Sequence, residues 1–527
     1  MGVEITPYHV PAAFILTTVT PFFYRPSPKI HDTKFAAALS LIFGLLCIIS
    51  ILITAHFYDY SYDGQGYHQQ TVIELADGWN PIYKRVRLPG EGWRTVWRET
   101  WINHYPRQPH VTQAALYKLV GRIEHAKAFN LLLIFASFCL SVSVLLRIRQ
   151  IRGLGAFIFG LLFALDPVSV TQSLNFYVDG QLSSLLVCLL ASLTAMLIAA
   201  DTLTLASLGC VILMVVNTKF TGVPYFLFIG FGFLVAAILM GEIKELKQVI
   251  GVSVICLAVG LLVVGYNPYV TNTLQKGHPL YPIFGEGRID ITALPIFTPP
   301  NLTDMNRLER LYYSIFGIPS DSRENAELKL PLTITSVREI KKASMPNLDI
   351  GGLGPLFSGA LTLSMIGLVS ILVRSPPKRR IELIVLCIIS ACIFTSALIH
   401  DQGWRARYAP QLYFIPIIVA LLLVSVRARL ANVIGSIVVI ALMLNVAMVG
   451  ASYLYRNIKI TYKLNSQMHE LARADGPVKV YFGRLRTTGI RFREWKIDYK
   501  EVSSEEGLPC THPIQIIRAT ALVCPDS

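Results

Sequence analysis

The chain has 527 residues, of which 53% are hydrophobic and only 15% charged, and its mean hydropathy is +0.52. Soluble domains carry roughly a quarter charged residues, so this composition excludes an ordinary soluble protein and predicts a polytopic membrane protein with about ten spans. The formal net charge of +14 does not point to nucleic acid, because the basic residues fall in short connections between apolar runs rather than on a soluble basic module.

In chain order, residues 1–34 read as a Pro-rich cytoplasmic tail that lacks the apolar core and small-residue site of a cleaved signal peptide. Eleven apolar runs follow, at 35–55, 128–146, 154–170, 180–199, 202–216, 222–240, 249–266, 355–373, 381–399, 408–425 and 431–453. Arg147, Arg149 and Arg152 follow the second run, Lys244 and Lys247 the sixth, Arg374, Lys378, Arg379 and Arg380 the eighth, and Arg427 and Arg429 the tenth. With a cytoplasmic tail, all these connections share the cytoplasmic side, as the positive-inside bias requires. The opposite side receives the loop 56–127, the stretch 166–179, the long loop 267–354, the turn His400 to Tyr408 and a C-terminal region, 454–527.

In the first of these loops, Gln69 to Ala76 and Val111 to Val120 are too short to span. With Trp79, Trp93, Trp97 and Trp101 around them, they read as helices lying in the membrane interface. The stretch 290–348, rich in prolines and charges, reads as a partly ordered lid. Beyond Pro477, "VKVYFG" and "WKIDYKEV" are strand-like and "TTGIRFREW" is helical, which predicts a small α/β unit. Cys510 and Cys524 bracket its last element and can pair in an oxidising compartment. Most other cysteines lie inside apolar runs as small core residues, with no CxxC and no Cys/His cluster.

Chemistry-bearing residues gather on the same side. "HFYDYSYDGQGYH" sets Asp59 and Asp63 just past the first span, with Gly64 and Gly66 favouring a tight loop. "DPVSVTQSLNFYVDGQ" puts Asp166, Asn175, Tyr177 and Asp179 at span ends, where ionisable groups face an interior cavity rather than lipid. Asp166, before Pro167, reads equally as a helix cap or breaker. Lys219 in "NTKFTG" reads as a phosphate ligand or as a side chain snorkelling to the interface. In "HDQGWRARYAP", Arg405 and Arg407 stand where the positive-inside bias does not ask for them, and guanidinium groups suit bidentate phosphate contact. Asp401 is close enough in sequence to pair with one of them.

The run "YDGQGYHQQTVIELADGWNPIY" resembles the GT-C superfamily of polyprenyl-phosphate-sugar-dependent glycosyltransferases, which includes the protein O-mannosyltransferases and the lipid A aminoarabinose transferase. There an acidic motif in the first external loop is followed by Tyr or Tyr-His and then by an interfacial helix ending in a phrase like Gly-Trp-Asn-Pro. Asp63, Tyr67, His68 and Gly78-Trp79-Asn80-Pro81 stand in that pattern here. The Asp-Glu pair of better-known members is absent, since Gly64 follows Asp63.

The resemblance implies an all-α GT-C membrane fold with about eleven transmembrane helices, interfacial helices in the first periplasmic loop and a small α/β C-terminal region. It implies Asp63 as the catalytic carboxylate with Asp59 in reserve, and Tyr67, His68, Asp179 and Asp166 around the substrate. Arg407, Arg405 and Lys219 would bind the donor phosphate. His278, in the family-like phrase "GHPLYP", would join them unless it only serves a Pro-rigidified turn. The implied activity is inverting transfer of a sugar from a polyprenyl-phosphate donor to a periplasmic glycan, lipid or protein, in the bacterial inner membrane. No metal site is evident in the sequence, and a divalent cation stays open as a cofactor. A transporter or flippase, or a polymerase or ligase of lipid-linked glycans, is the alternative. The absence of repeat symmetry and of polar groups at mid-span disfavours the transporter.

Overall fold

The computed structural model describes residues 4–23, 33–90, 92–148, 150–289, 298–374, 377–426 and 428–524. Arg149, Arg427 and the 290–297 part of the expected lid lie outside the described residues. Among those described, seven helices are long and apolar enough to cross a membrane and five shorter apolar helices accompany them. The chain is a mostly helical, multi-pass membrane protein with one small sheet.

The eleven expected runs are joined by a further apolar helix. Helix α1 (His9–Phe23) packs antiparallel on α2 (Thr33–Ala55). Phe14 stacks on Phe43, and the Ser40 hydroxyl donates to the Thr18 carbonyl oxygen at 2.7 Å. Ile5 packs against the cluster of Val72, Ile73 and Ala114 in the first loop. Residue 5 therefore lies on the face that carries that loop, whereas the sequence reading put the whole 1–34 segment on the other. Thr17, Thr18 and Thr20 disguise the helix in the sequence, but their hydroxyls fold back onto carbonyls one turn earlier.

The first loop holds one wide helical turn, Gly64–His68, followed by α3 (Gln69–Ala76), α4 (Trp93–His104) and α5 (Gln108–Val120). Helices α3 and α5 pack against each other through Val72, Ile73, Ala76 and Ala114. Apolar surface faces outward on α4, through Trp93 and Val96, and on α5, through Val111 and Leu119.

Then follow α6 (Ala128–Arg147), α7 (Gly153–Ala164), α8 (Pro167–Gln172), α9 (Asp179–Ile198), α10 (Thr202–Thr218), α11 (Gly222–Met240) and α12 (Ile243–Val259). Helix α7 ends well before the expected residue 170. Pro167 has no N–H with which to continue it, and Asp166 instead caps α8 by accepting the Val168 and Ser169 amides. Helix α9 is buried along nearly its whole length, so whatever its first residue carries is held in a rigid frame.

The long loop contributes α13 (Thr271–Lys276), α14 (Arg307–Phe316) and α15 (Val337–Ala343). The chain then returns through α16 (Phe357–Arg374), α17 (Pro377–Ile399), α18 (Phe414–Ser425) and α19 (Arg429–Leu471). At 43 residues α19 runs far past the expected end at 453. Ile460, Leu464, Met468 and Leu471 continue its apolar stripe at helical spacing, and the last three pack with Tyr58 against the C-terminal unit.

That unit comprises β1 (Val478–Tyr481), α20 (Thr488–Glu494), β2 (Tyr499–Glu501), β3 (Ile514–Gln515) and β4 (Leu522–Cys524) in the strand order β2-β1-β4-β3. β1 runs parallel to β2 and antiparallel to β4. Cys510 and Cys524 form a disulfide, with their Cα atoms 5.9 Å apart.

Candidate functional site

Four ionic side chains from four distant parts of the chain meet at one end of the helical bundle. Asp63 precedes the wide turn of the first loop, Asp179 opens α9, Lys219 follows α10, and Arg407 lies in the turn between α17 and α18. Arg407 Nη1 is 3.1 Å from Asp63 Oδ2 and 4.0 Å from Asp179 Oδ2, while Lys219 Nζ is 2.5 Å from Asp179 Oδ1. The result is a chain of alternating charge, Asp63, Arg407, Asp179, Lys219. Asp63 is its most open member, with 19% of the side chain exposed against 5% for Asp179.

Aromatic rings frame the cations. Lys219 Nζ sits 3.8 Å from the centre of the Tyr408 ring, and the Arg407 guanidinium carbon is 5.1 Å from the Tyr177 ring and 4.8 Å from that of Tyr408. Arg407 Nη2 donates to the Tyr408 hydroxyl at 3.1 Å, and its buried Nε has no acceptor among the described residues. An unused charged donor inside such a site is available to an incoming anion. The turn that presents Arg407 is fixed from two sides. The Tyr225 hydroxyl donates to the Tyr408 carbonyl, and the Ala406 amide donates to the Asp349 carbonyl at 3.0 Å.

Tyr67 and His68 form the wall on the loop side. The Tyr67 ring lies 5.8 Å from Trp97, 6.1 Å from Trp101 and 6.2 Å from Tyr105. His68 Nδ1 is 2.8 Å from His110 Nε2, so one ring donates and the other accepts. Burial, followed by the nearby charges of Lys219 and Arg407, holds the His68 imidazole well below its usual range. Burial and His68 itself do the same to His110, so both rings are neutral at pH 7.

Arg405 stands behind Arg407. It is paired with Asp349 at 3.4 Å, and its Nε donates to Gln402 at 2.8 Å. The arginine partner suggested for Asp401 is not found, because Asp401 pairs with Arg307. Asp166 serves as a cap, with its second oxygen accepting the Ser183 hydroxyl at 2.9 Å. His278 is not part of the cluster. Its Nδ1 accepts the Leu280 amide at 3.1 Å and its ring lies beside Phe284, so it stabilises its own turn.

Asp59, the reserve candidate, is held differently from Asp63. It is fully buried. Oδ1 accepts the Ser61 amide at 2.7 Å and the Ser61 hydroxyl at 2.6 Å, and Oδ2 accepts the Phe176 amide at 2.9 Å. Burial pushes its carboxyl up to about 6 despite these bonds. The role that follows is to tie the first loop to the 175–179 segment, across which the Asp63 amide also donates to the Tyr177 hydroxyl at 3.4 Å.

Beside Asp59 lies a buried ionic network invisible in the sequence. Glu124 pairs with Lys127 at 2.5 Å and with Arg491 of α20 at 2.7 Å. Arg491 also donates to the Asp59 carbonyl at 2.7 Å and to Gln65 Oε1 at 3.2 Å. The C-terminal unit thus holds the turn that follows Asp63. Tyr408 could have been singled out as the neighbour of Arg407, but nothing in spacing or composition marks His110, Asp349, Glu124 or Arg491.

Among the described residues no three His, Cys, Asp or Glu side chains lie close enough together to hold a metal ion, and Asp63 and Asp179 each already face a basic side chain. No protein-family model matches this chain and no curated protein does. Among solved structures the chain is similar to the crystal structure of ArnT from Cupriavidus metallidurans bound to undecaprenyl phosphate, at 11% identity and a TM-score of 0.43, over 93% of this chain and 98% of that one.

Proposed function

We propose that the protein is an inverting glycosyltransferase that takes a sugar from a polyprenyl-phosphate carrier and passes it to a hydroxyl-bearing acceptor. The observation that carries this reading is the contact between Asp63 and Arg407, which sets the most open carboxylate of the cluster beside its most aromatic-lined cation. Glycosyl transfer from a phosphate asks for such a pair: a base for the acceptor proton and a fixed positive charge for the departing phosphate. The first-loop motif around Asp63, Tyr67 and His68 supports the same reading.

In the transfer step a lone pair of the acceptor oxygen forms the new bond to the anomeric carbon. The bond from that carbon to the phosphate oxygen breaks, and its electron pair leaves with the phosphate. The acceptor proton passes to Asp63. Attack on the face opposite the leaving group inverts the anomeric centre. Arg407, through its unused Nε, and Lys219 neutralise the phosphate, while Asp179 keeps the two cations apart and oriented. The carrier's isoprenoid tail would lie between the apolar helices. The excess of Lys and Arg on the opposite connections supports a site on the outer, periplasmic side of a bacterial inner membrane.

The test is lipid mass spectrometry on detergent-purified Asp63→Asn protein. A stalled enzyme is expected to retain a polyprenyl-phosphate sugar, whose mass names the donor. Recovery of bulk phospholipid alone from donor-enriched membranes would overturn the reading.

A further inference from the structure

Next to the Gly64–His68 turn, α3 and the stretch from Arg87 to Pro89 face the C-terminal unit across a groove of about 290 Å³. Its polar lining includes Gln70, Glu74, Arg87, Arg486, Arg493 and Glu501, with the Tyr499 ring beside them. Some of these groups already satisfy one another. Arg486 pairs with Glu501 at 2.6 Å, and Gln70 donates to Glu74 at 2.7 Å. Arg87 and Arg493 are exposed and make no ion pair among the described residues, which leaves two such guanidinium side chains in the lining of one groove.

The groove borders the loop that carries Asp63. Thr487, which also lines it, donates to the Gln65 carbonyl at 3.3 Å, two residues from Asp63. Gln70 follows Asp63 by seven residues on one uninterrupted helical run, which at about 1.5 Å per residue is about 10 Å. An acceptor that enters the groove from the aqueous side has that distance to span to bring a hydroxyl to Asp63, while the donor occupies the membrane side.

The chemistry of the lining selects the occupant. Guanidinium forks recognise carboxylate and phosphate, amide and carboxylate groups exchange hydrogen bonds with hydroxyls, and a tyrosine ring covers the apolar face of a sugar. The volume lies near the lower end of small-molecule sites, about 300 Å³, so it suits a saccharide unit rather than a folded partner. On the basis of the glycosyl-transfer reading, we infer that this groove is the acceptor subsite and that it takes an anionic saccharide, with its carboxylate or phosphate held between Arg87 and Arg493.

Binding is to be measured in the absence of donor on the detergent-purified full chain, with fluorescently labelled trigalacturonate as the anionic probe and labelled maltotriose as its neutral counterpart. Wild type is expected to bind trigalacturonate more tightly than maltotriose. Arg87→Ala/Arg493→Ala is expected to lose about tenfold or more of that affinity. Arg87→Gln/Arg493→Gln, which keeps more of the side-chain bulk, should lose as much. Equal trigalacturonate binding by wild type and both double variants, or equal binding of the two probes by wild type, would overturn the inference. Arginine-dependent binding by a protein that retains no isoprenoid lipid would uphold the anionic-saccharide site and count against the transferase reading alone.

Discussion

Arg407 Nη1 lies 3.1 Å from Asp63 Oδ2, although the two residues are 344 positions apart in the chain. The first loop and the last external turn therefore share one ionic contact, and each partner has a separable task. Asp63→Asn keeps the shape but cannot accept a proton, so turnover should fall by about 10²- to 10⁴-fold with donor binding retained. Arg407→Ala should instead weaken donor binding, and Arg407→Lys should restore it only in part, because a point charge lacks the planar fork. Donor affinity and turnover measured on the same preparations separate the two.

Asp59 should behave differently from its neighbour. Its folded-state carboxyl is raised from the usual 3.8 to about 6. Between those values the folded protein holds a proton that the unfolded chain has released, so this group's contribution to stability is greatest at low pH and is lost as pH rises towards 6. Asp59→Asn removes that dependence. The gap in unfolding midpoint between wild type and Asp59→Asn should change from pH 4 to pH 6.5 and level off above it. Its turnover should stay within about tenfold of wild type; a loss as large as that of Asp63→Asn would reassign the base.

Removing Arg491 strips Glu124 of one of its two cations and frees the Asp59 carbonyl and the Gln65 amide at once. Breaking a buried pair from one side costs about 3–5 kcal/mol, so Arg491→Ala should unfold at markedly lower temperature. The triple change Arg491→Met/Glu124→Leu/Lys127→Met, which removes all three charges of the network, should recover much of that stability without restoring the hold on Gln65. Activity that stays low in the thermally recovered triple variant would mark Arg491 as a positioning residue for the Asp63 loop. Full activity would show that it serves stability alone.

The disulfide between Cys510 and Cys524 closes a loop with a sequence separation of 14. Loops of about this length contribute about 3 kcal/mol. Cys510→Ser/Cys524→Ser should therefore make the C-terminal unit sensitive to limited proteolysis well before the membrane helices unfold, and reductant should do the same to wild type.

The membrane fold was legible wherever apolar residues ran unbroken, since length and hydropathy alone mark such spans. It was not legible where local chemistry intervened: Pro167 cut α7 short, and threonines hid α1. Of the site residues, Asp63, Arg407, Asp179 and Lys219 stood out because each is a charge at a span end, where it is costly unless used, and the structure brings these four together. Asp59 and Asp166 carry the same signal for a different reason, as buried acceptors for backbone amides, and sequence position cannot tell the two uses apart. His278 was singled out by its phrase and is held by its own turn, so His278→Ala should leave donor affinity unchanged. The Glu124 and Arg491 pair, 367 residues apart, has no local signature.

Helix α1 lies antiparallel to α2, and Ile5 rests on the first loop. Glu4 therefore lies on the same face as the C-terminal unit, whose Ile490 belongs to the same cluster, and α1 and α2 run in opposite directions. With the site on the outer side, as proposed, insertion carries the charge of Glu4 across the bilayer, a task that no positively charged anchor on α1 opposes, since its first and last turns contain neither Lys nor Arg. A compartment-sensitive reporter fused ahead of Glu4 should then give the same signal as one fused after Cys524.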